Sequence, residues 1–420
     1  MSAVPETNGE VALENKLKEV DINKNTPANA IAPPSTSIAA SPVAAWLREI
    51  EQQARKSNGV LKTPIVDPLP SIPPPPIIAL TSDQQTKYDA LLTTVKSWTE
   101  IPCTKAEKAG PLTENEIMWL TRECLLRYLR ATKWDLAEAG KRLLSTMTWR
   151  RDYGLEDITA DYISPENESG KQWILGYDIA GRPCQYLNPG RQNTQLSPRQ
   201  VQHWVFMLER SISLLGPGRE TLALMINFKA SKERVNTAPS IGQGREVLNI
   251  LQSHYPERLG RACVINVPWL VWGFLKLITP FIDPTTKEKL KFDGDMKEHV
   301  PPEQLATSFM GDLNFEYDHA EYWPALNKLC DERIAEQKER WVKAGKHFGE
   351  SEVYLRGGNA ASVAAAPPLV VKEVTEDSKS APTIPVPSNK DNATIAPGAT
   401  VVPTVPVAAE EKVTNAPAAA

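Results

Sequence analysis

The sequence predicts an α/β fold in which a small helical lobe precedes a lobe with a mostly parallel sheet, and disordered tails flank both. Three observations support this prediction. Apolar residues recur at helical spacing between residues 82 and 155. From Ile174 onward, short apolar runs alternate with helical segments, which is typical of βαβ units. Both chain ends are rich in proline and nearly free of aromatic side chains.

The two ends lack the apolar groups that would offset the entropy of ordering a chain. Residues 1–80 contain 12 of the 36 prolines and one aromatic residue, Trp46, and residues 357–420 contain nine prolines and no aromatic residue. Within the first tail, residues 41–55 favour a short, transient helix begun by Ser41 and Pro42. Residues 63–76 indicate an extended proline-rich spacer, an interpretation favoured over an SH3 ligand.

Helix-start signals mark three helices of the helical lobe, which ends at Tyr153-Gly154. In order, these signals are Ser82 with Gln85, Thr113 with Glu116, and Asp135. The second helix is expected to run unbroken to Leu129. Its end carries Arg127, Arg130 and Lys133, which the sequence alone favours as solvated charges.

The second lobe is predicted to alternate strand and helix around a buried sheet. Its elements are a turn at Ala180-Gly181, a helix from Val201 to Leu215, a strand from Thr221 to Phe228, a helix over 240–254 and a strand from Ala262 to Val267. A short helix from Pro302 to Phe309 and a charged helix from Trp323 to Lys343 follow. The expected domains are 1–80 (tail), 82–155 (helical lobe), 165–320 (second lobe), 321–358 (C-terminal helix and extension) and 359–420 (tail).

The stretch from Glu257 to Phe292 organises the second lobe. A strand leads to Pro268, and an apolar segment from Trp269 to Ile278 follows. A helix that is apolar on all sides must be buried or must lie in lipid, so this segment is read as a core helix or a lid. A polar turn and a basic strand with Lys287, Lys289 and Lys291 come next. An oily lid edged by hydroxyls and cations suits an anionic lipid.

Bulk properties argue against several other classes of protein. The net charge of −4 provides no general basic field for nucleic acid. The five cysteines fit neither a metal site nor a disulfide framework, so reduced thiols in the cytosol are expected. No nucleotide-binding, nucleophile-elbow or zinc-protease motif occurs, and the five histidines have no ligand spacing, so neither an enzyme nor a metal site is expected. No signal peptide or spanning helix is expected, and we predict a soluble protein.

An ordered set of segments resembles the CRAL-TRIO lipid-transfer family. The segments are LLRYLRATKWD, GRPCQYLNPGR, LALMINFKA, and HYPERLGRACVINVPW followed by PFIDPTTKEKLKF. The resemblance covers roughly residues 82 to 350 and is strongest to the fungal phosphatidylinositol transfer proteins of the azole-tolerance and sterol-binding branch. It implies a helical lobe and a lipid lobe with a sheet floor, closed by a gating helix at about 269–279.

The resemblance also implies particular site residues. Family members that bind phosphatidylinositol use residues that match Glu257, Thr286 and Lys289, and a basic pair that survives here as Lys133 alone, because Thr132 replaces the usual Arg. The gating helix would present the apolar residues Trp269, Trp272, Phe274, Leu275 and Ile278. This chemistry suits a phosphodiester, because lysine supplies a compact charge and threonine a hydroxyl donor, and glutamate can pair with lysine when the site is dry.

Two further departures from the family pattern affect the expected ligand. Leu222 and Leu224 occupy the pocket positions where phosphatidylcholine-binding members carry Ser and Thr. A choline-lipid phosphate would find no hydroxyl donor there, and burying its charge unpaired is costly, so an apolar second ligand such as a sterol is favoured. The usual paired glycine is also interrupted, in the segment Phe309-Met310-Gly311-Asp312.

We therefore expect a phosphatidylinositol transfer protein that exchanges its lipid between membranes through a closed apolar cavity, without covalent chemistry and with no cofactor except the bound lipid. A sterol-binding or sterol-sensing carrier is the first alternative, and a lipid-localised scaffold whose tails recruit partners is the second. The expected partners are phospholipid membranes, phosphatidylinositol and sterol, with lipid kinases or tail-binding proteins as further candidates and no nucleic acid. The expected location is cytoplasmic and peripheral to a membrane, with the endoplasmic reticulum or lipid droplets as candidates.

Overall fold

The structure is a computed structural model and describes residues 41–230, 240–269, 271–273 and 287–365. Its helices are α1 (Pro42–Ser57), α2 (Ser82–Lys96), α3 (Glu114–Trp119), α4 (Arg122–Ala131), α5 (Leu136–Tyr153), α6 (Ala160–Asn167), α7 (Pro198–Ser213), α8 (Ile241–His254), α9 (His319–Lys343) and α10 (Glu352–Leu355). Its strands are β1 (Gln172–Tyr177), β2 (Pro183–Leu187), β3 (Leu222–Asn227), β4 (Leu259–Ile265) and β5 (Leu290–Phe292). The predicted fold class is confirmed in this part of the chain.

The described strands form one sheet in the order β1-β2-β3-β4-β5. The first pair is antiparallel and the other three pairs are parallel, so the predicted mostly parallel sheet is confirmed. The predicted turn between β1 and β2 is also present. Gly181 adopts a left-handed φ of 69° there, and its N–H donates to the carbonyl of Asp178 at 2.8 Å.

Helices α2 to α5 form the helical lobe, and their starts follow from their capping residues. The capping box of Thr113 and Glu116 is confirmed, and so is the Asp135 cap of α5. The predicted box of Ser82 and Gln85 is wrong by one residue, because Thr81 and Gln84 form it instead.

The helix expected to continue from Thr113 to Leu129 is divided in two. Helix α3 ends at Trp119, and Leu120 leaves the helical conformation with φ −76° and ψ 58°. The hydroxyl of Thr121 then accepts a hydrogen bond from the Cys124 N–H at 3.0 Å and caps α4. A second N-cap within the apolar pattern thus starts a new helix.

The two faces of the sheet carry different apolar cores. On one face, Leu222 and Leu224 of β3 pack against Val201, Val205 and Leu208 of α7 and against Ile250 of α8. We call this the α7/α8 face. On the other face, Ala223 and Met225 join a larger core that includes residues of α1 and α9. Neighbouring residues of β3 belong to different cores because strand side chains alternate between the two faces.

The N-terminal boundary of the ordered part was predicted wrongly. Residues 41–80 are not a disordered tail, because α1 buries Trp46 and Leu47 in the larger core, with 6% and 0% of their surfaces exposed. After the helix, Leu61 donates its N–H to the carbonyl of Asn314 at 2.8 Å. A few well-placed apolar residues therefore order a segment whose overall composition favours disorder. Residues 1–40 lie outside the described residues.

The segment after β5 differs in two ways from its prediction. The helix expected from Pro302 to Phe309 is two separate 3₁₀ turns, Pro302–Gln304 and Thr307–Phe309. Met310 follows with a left-handed φ of 70°. A side chain at position 311 would collide with the backbone of Leu305, so this position requires glycine. The left-handed conformation, which glycine adopts most easily, therefore falls on Met310.

The described part of the chain extends past the predicted start of the C-terminal tail at residue 359. Ser362 is buried and donates its hydroxyl to Glu350 at 2.7 Å. Residues 366–420 of that expected tail lie outside the described residues. In the described part no helix is long and apolar enough to span a bilayer, and no group of three or more His, Cys, Asp or Glu side chains is arranged to hold a metal ion.

Candidate functional site

Glu257 and Lys289 lie at the same edge of the sheet, because each precedes one of two neighbouring parallel strands. Glu257 stands two residues before β4, and Lys289 stands directly before β5. The carbonyl of Lys289 accepts a hydrogen bond from the N–H of Ala262 at 2.9 Å. Strand pairing thus brings the predicted acid and cation to one side of the lobe.

The carboxylate of Glu257 forms an ion pair with a residue of the helical lobe. Nε of Arg130 donates to Oε2 of Glu257 at 2.5 Å, and Nη2 of Arg130 donates to Glu220 at 3.0 Å. About a third of each side chain in the Arg130–Glu257 pair is exposed, at 32% and 36%. The prediction that Arg130 is simply a solvated charge is therefore wrong. The basic residues near the end of a helix were the available signal, but spacing alone did not reveal their partner.

Behind this pair lies a buried network that joins three parts of the chain. Arg127 of α4 donates to Glu220, before β3, at 2.8 Å and to Glu352 of α10 at 2.7 Å. Only 3% of the Arg127 side chain is exposed, so the prediction of a solvated charge is wrong here too. Burial opposes ionisation of Glu352, but Arg127 and two neighbouring guanidinium groups hold the pKa of this carboxyl well below its usual value.

Burial and the proximity of Arg127 lower the pKa of Arg258 to about 10. A cavity of about 10 Å³, lined in part by Arg127, Tyr255 and Arg258, adjoins this network. That volume suits about one water molecule and is far too small for a lipid chain. The network is therefore a polar connection between lobes rather than a ligand chamber.

Lys133, the other predicted cation, is exposed and has a left-handed φ of 53° just after α4. Thr132, which replaces the family's arginine, directs its hydroxyl back to the carbonyl of Tyr128 at 3.0 Å. The helix end is thus closed by Thr132, and Arg130 is the residue of this helix that reaches Glu257.

The predicted pocket residues Leu222 and Leu224 lie next to one another on the α7/α8 face, with 2% and 9% of their surfaces exposed. Leu290 of β5 packs against the same core. This face is apolar across β3, β4 and β5 and offers no hydroxyl from β3. Helices α7 and α8 cover this face in the structure, and β3 gives it no group that could bind a phosphate.

The start of the predicted gating helix is near this face. Trp269, Val271 and Trp272 are helical, and the ring of Trp272 lies 4.9 Å from that of Phe292 of β5. Val271 is buried, whereas 82% of Trp269 is exposed. The segment therefore begins with one apolar side inward and a tryptophan outward. The predicted residues Phe274, Leu275, Ile278 and Thr286 lie outside the described residues.

These features define a two-lobed α/β protein with a mostly parallel sheet, an apolar core on each face of that sheet, and an acid and a cation before two neighbouring strands. The model of the CRAL/TRIO domain matches residues 167–311, and that of the CRAL/TRIO N-terminal domain matches residues 87–145. The chain belongs to the CRAL-TRIO family, as the sequence predicts.

Curated relatives support this assignment at several levels of identity. The chain is 52% identical over 303 residues to a CRAL-TRIO domain-containing protein of Schizosaccharomyces pombe, an alignment that covers 72% of this chain but only 30% of that protein. It is 44% identical over 257 residues to phosphatidylinositol transfer protein PDR17 of Saccharomyces cerevisiae, covering 59% of this chain and 73% of that protein. The SEC14 cytosolic factor of Candida glabrata is 28% identical over 44% of this chain and 69% of its own length.

Proposed function

We propose that this protein binds phosphatidylinositol and exchanges it between membranes. The observation that carries the proposal is the apolar α7/α8 face with Leu222 and Leu224, together with Glu257 and Lys289 at one edge of the same sheet. The relative PDR17, which is named a phosphatidylinositol transfer protein, supports the same ligand. The proposed activity is exchange of a bound lipid and makes or breaks no covalent bond.

The need for such a carrier follows from the cost of moving a lipid through water. Exposing about 30 methylenes at about 0.8 kcal/mol each costs on the order of 24 kcal/mol. A closed cavity over an apolar sheet face avoids most of that cost, because the acyl chains pass from one oily environment to another. Opening and closing at a membrane would then limit the exchange rate.

We assign head-group recognition to Glu257, Thr286, Lys289 and Lys133, and Arg130 contacts Glu257. A charge-assisted hydrogen bond to a phosphate is worth about 1.5–3 kcal/mol, enough to distinguish one head group from another. Because Glu257 is paired with Arg130, an entering head group would have to replace that pair. The phosphate of the head group can bind the cationic side chains, and the inositol hydroxyls can donate hydrogen bonds to the carboxylate of Glu257.

The lid is assigned to the apolar segment that begins at Trp269. Its exposed tryptophan is suited to the polar–apolar boundary of a bilayer, where one end of an indole is wet and the other is buried. Contact of this segment with lipid would favour its displacement from the sheet. We accordingly propose a cytoplasmic protein that associates peripherally with membranes.

A sterol is the second candidate ligand. The observation that favours it is the burial of Leu222 and Leu224 on a face that offers no hydroxyl from β3. A mostly apolar ligand would pay no penalty for lying there, whereas a choline phosphate would lose its hydration without a partner. Sterol and phosphatidylinositol could then be alternative cargoes of one protein.

The test is transfer of labelled phosphatidylinositol between vesicles by the full chain and by the double variant Glu257→Ala with Lys289→Ala. We expect the double variant to lose transfer while its thermal unfolding and circular dichroism stay close to those of the unaltered protein. The matched control is Lys291→Ala, because Lys291 is the register partner of Cys263, and Cys263 belongs to the core on the other face. Unchanged transfer by the double variant would remove the head-group assignment.

A further inference from the structure

A chain of uncharged polar side chains lies on the α7/α8 face beside the apolar pocket residues. Gln185 of β2 is the register partner of Leu224, so the two side chains lie on the same face of the sheet. Nε2 of Gln185 donates to Oε1 of Gln172 at 3.0 Å. The hydroxyl of Ser211 on α7 lies 3.1 Å from Oε1 of Gln185. All three side chains are buried.

The chain ends at His203 of α7, whose side chain is 1% exposed. Nε2 of Gln172 lies 3.4 Å from Nδ1 of His203. An amide nitrogen can only donate, so Nδ1 accepts, and the imidazole proton is placed on Nε2. That Nε2–H is buried and has no hydrogen-bond partner among the described residues. The hydrogen-bond chain therefore presents one unused donor at its end.

The surroundings of His203 keep it uncharged. Burial is the main cause of a pKa well below the ordinary histidine value, and the nearby cation of Lys171 lowers that pKa further. The charge of Lys171 is itself paired with Glu166, at 2.5 Å. A buried donor that carries no charge matches an uncharged oxygen and gives no compensation for a buried phosphate.

We propose that Nε2–H of His203 binds an uncharged oxygen of a lipid, either a hydroxyl or an ester carbonyl, whose apolar body lies along Leu222 and Leu224. This proposal rests on the proposed lipid-carrier function and adds a second polar contact to it. The contact is separate from Glu257 and Lys289, which precede β4 and β5, whereas His203 lies on α7 over β1 and β2. A lipid with a single hydroxyl and a large apolar body would satisfy it without any charged head group.

The test measures binding of two uncharged probes to the purified full chain. Dehydroergosterol, a fluorescent sterol, is followed by energy transfer from tryptophan, and a diacylglycerol is tested by its ability to displace it. We expect His203→Leu to weaken binding of one or both probes about fivefold to tenfold, and His203→Gln, which keeps an N–H donor, to retain most of the affinity. Loss with the sterol alone identifies a hydroxyl ligand, and loss with diacylglycerol alone identifies a glycerolipid.

Met207→Leu is the matched control, because Met207 is buried one helical turn from His203 on α7. Transfer of phosphatidylinositol by the same variants separates the two proposals. Normal transfer by His203→Leu with weakened probe binding supports both of them. Lost transfer by Glu257→Ala with Lys289→Ala, together with unaltered probe binding by His203→Leu, overturns only the His203 site.

A measurement on the unaltered protein covers the case in which His203→Leu does not fold. Long-range proton–nitrogen spectra of the five histidines report the protonated nitrogen of each ring. We expect the His203 Nε2–H signal to shift when dehydroergosterol or diacylglycerol is added. A signal unmoved by saturating amounts of both probes would mean that a buried water or no partner satisfies this donor, and it would overturn the proposal.

Discussion

Nε of Arg130 lies 2.5 Å from Oε2 of Glu257, so the last turn of α4 is joined directly to the residue two positions before β4. This pair links the helical lobe to the edge where the head group is proposed to bind. The Arg130–Glu257 pair is partly exposed, whereas the Arg127–Glu352 pair behind it is buried. The two pairs should behave differently when either is broken.

The Arg130–Glu257 pair should contribute little to stability. Because about a third of each side chain is exposed, we expect a coupling free energy of about 0.2–1 kcal/mol. Urea unfolding of Arg130→Gln, Glu257→Gln and the double variant measures it as a double-mutant cycle. A coupling above about 3 kcal/mol would contradict the partial exposure of the two side chains.

The buried Arg127–Glu352 pair should be far more sensitive. We expect Arg127→Met to lower the free energy of unfolding by about 3–5 kcal/mol, because it leaves the carboxylate of Glu352 buried without its main partner. Combining Arg127→Met with Glu352→Leu should recover much of that loss. Equilibrium unfolding in urea checks both expectations, and a cost below about 1 kcal/mol for Arg127→Met would contradict this account.

His254 should make the fold sensitive to mild acid. Its ring stacks on Trp149 at 4.3 Å, and burial, with Arg142 and Arg150 nearby, lowers its pKa from 6.5 to about 4. The unfolded chain therefore takes up the proton first as the pH falls. The stabilising contribution is complete above pH 6.5 and is lost progressively toward pH 4.

Replacing His254 with Gln should flatten this part of the stability–pH curve. The measurement is the urea midpoint of the original protein and of His254→Gln at several values across that pH range. The difference between the two proteins should shrink steadily as the pH is lowered. A constant difference would show that His254 titrates alike in the folded and unfolded chains.

Trp269 should contribute to membrane contact. With 82% of its side chain exposed, Trp269→Ser should leave stability nearly unchanged but weaken binding to vesicles that contain phosphatidylinositol about fivefold. Vesicle co-sedimentation measures the effect. Leu196→Ser, which alters another exposed apolar residue, is the control and should bind vesicles normally. Equal loss in both variants would argue against a specific role for the segment after Pro268.

Much of the fold could be predicted because its signals are local. The caps at Thr113 and Asp135 and the apolar run of β3 each depend on a few adjacent residues. The break at Leu120 was missed because the apolar spacing continues across it. Leu120 ends α3 and Thr121 caps the start of α4, and the apolar periodicity gives no sign of this boundary.

The candidate site was less predictable because its contacts join residues distant in sequence. Glu257 and Lys289 came from the family pattern, and the structure places them at one sheet edge. The pairing of Arg130 with Glu257 spans 127 positions and cannot be inferred from helical spacing. The orphaned donor of His203 was also invisible, since a single histidine on an amphipathic helix gives no sign of its neighbours.

The docking of α1 on the larger core has a practical consequence for anyone who shortens this chain. The family models begin at residue 87 and end at residue 311, so they omit both α1 and α9. A fragment cut at those limits would lack Trp46, Leu47 and Leu326. The sheet face that carries the larger core would then be exposed to solvent. Recombinant versions should therefore start no later than Ser41 and extend beyond Ser362 if they are to stay free of aggregates.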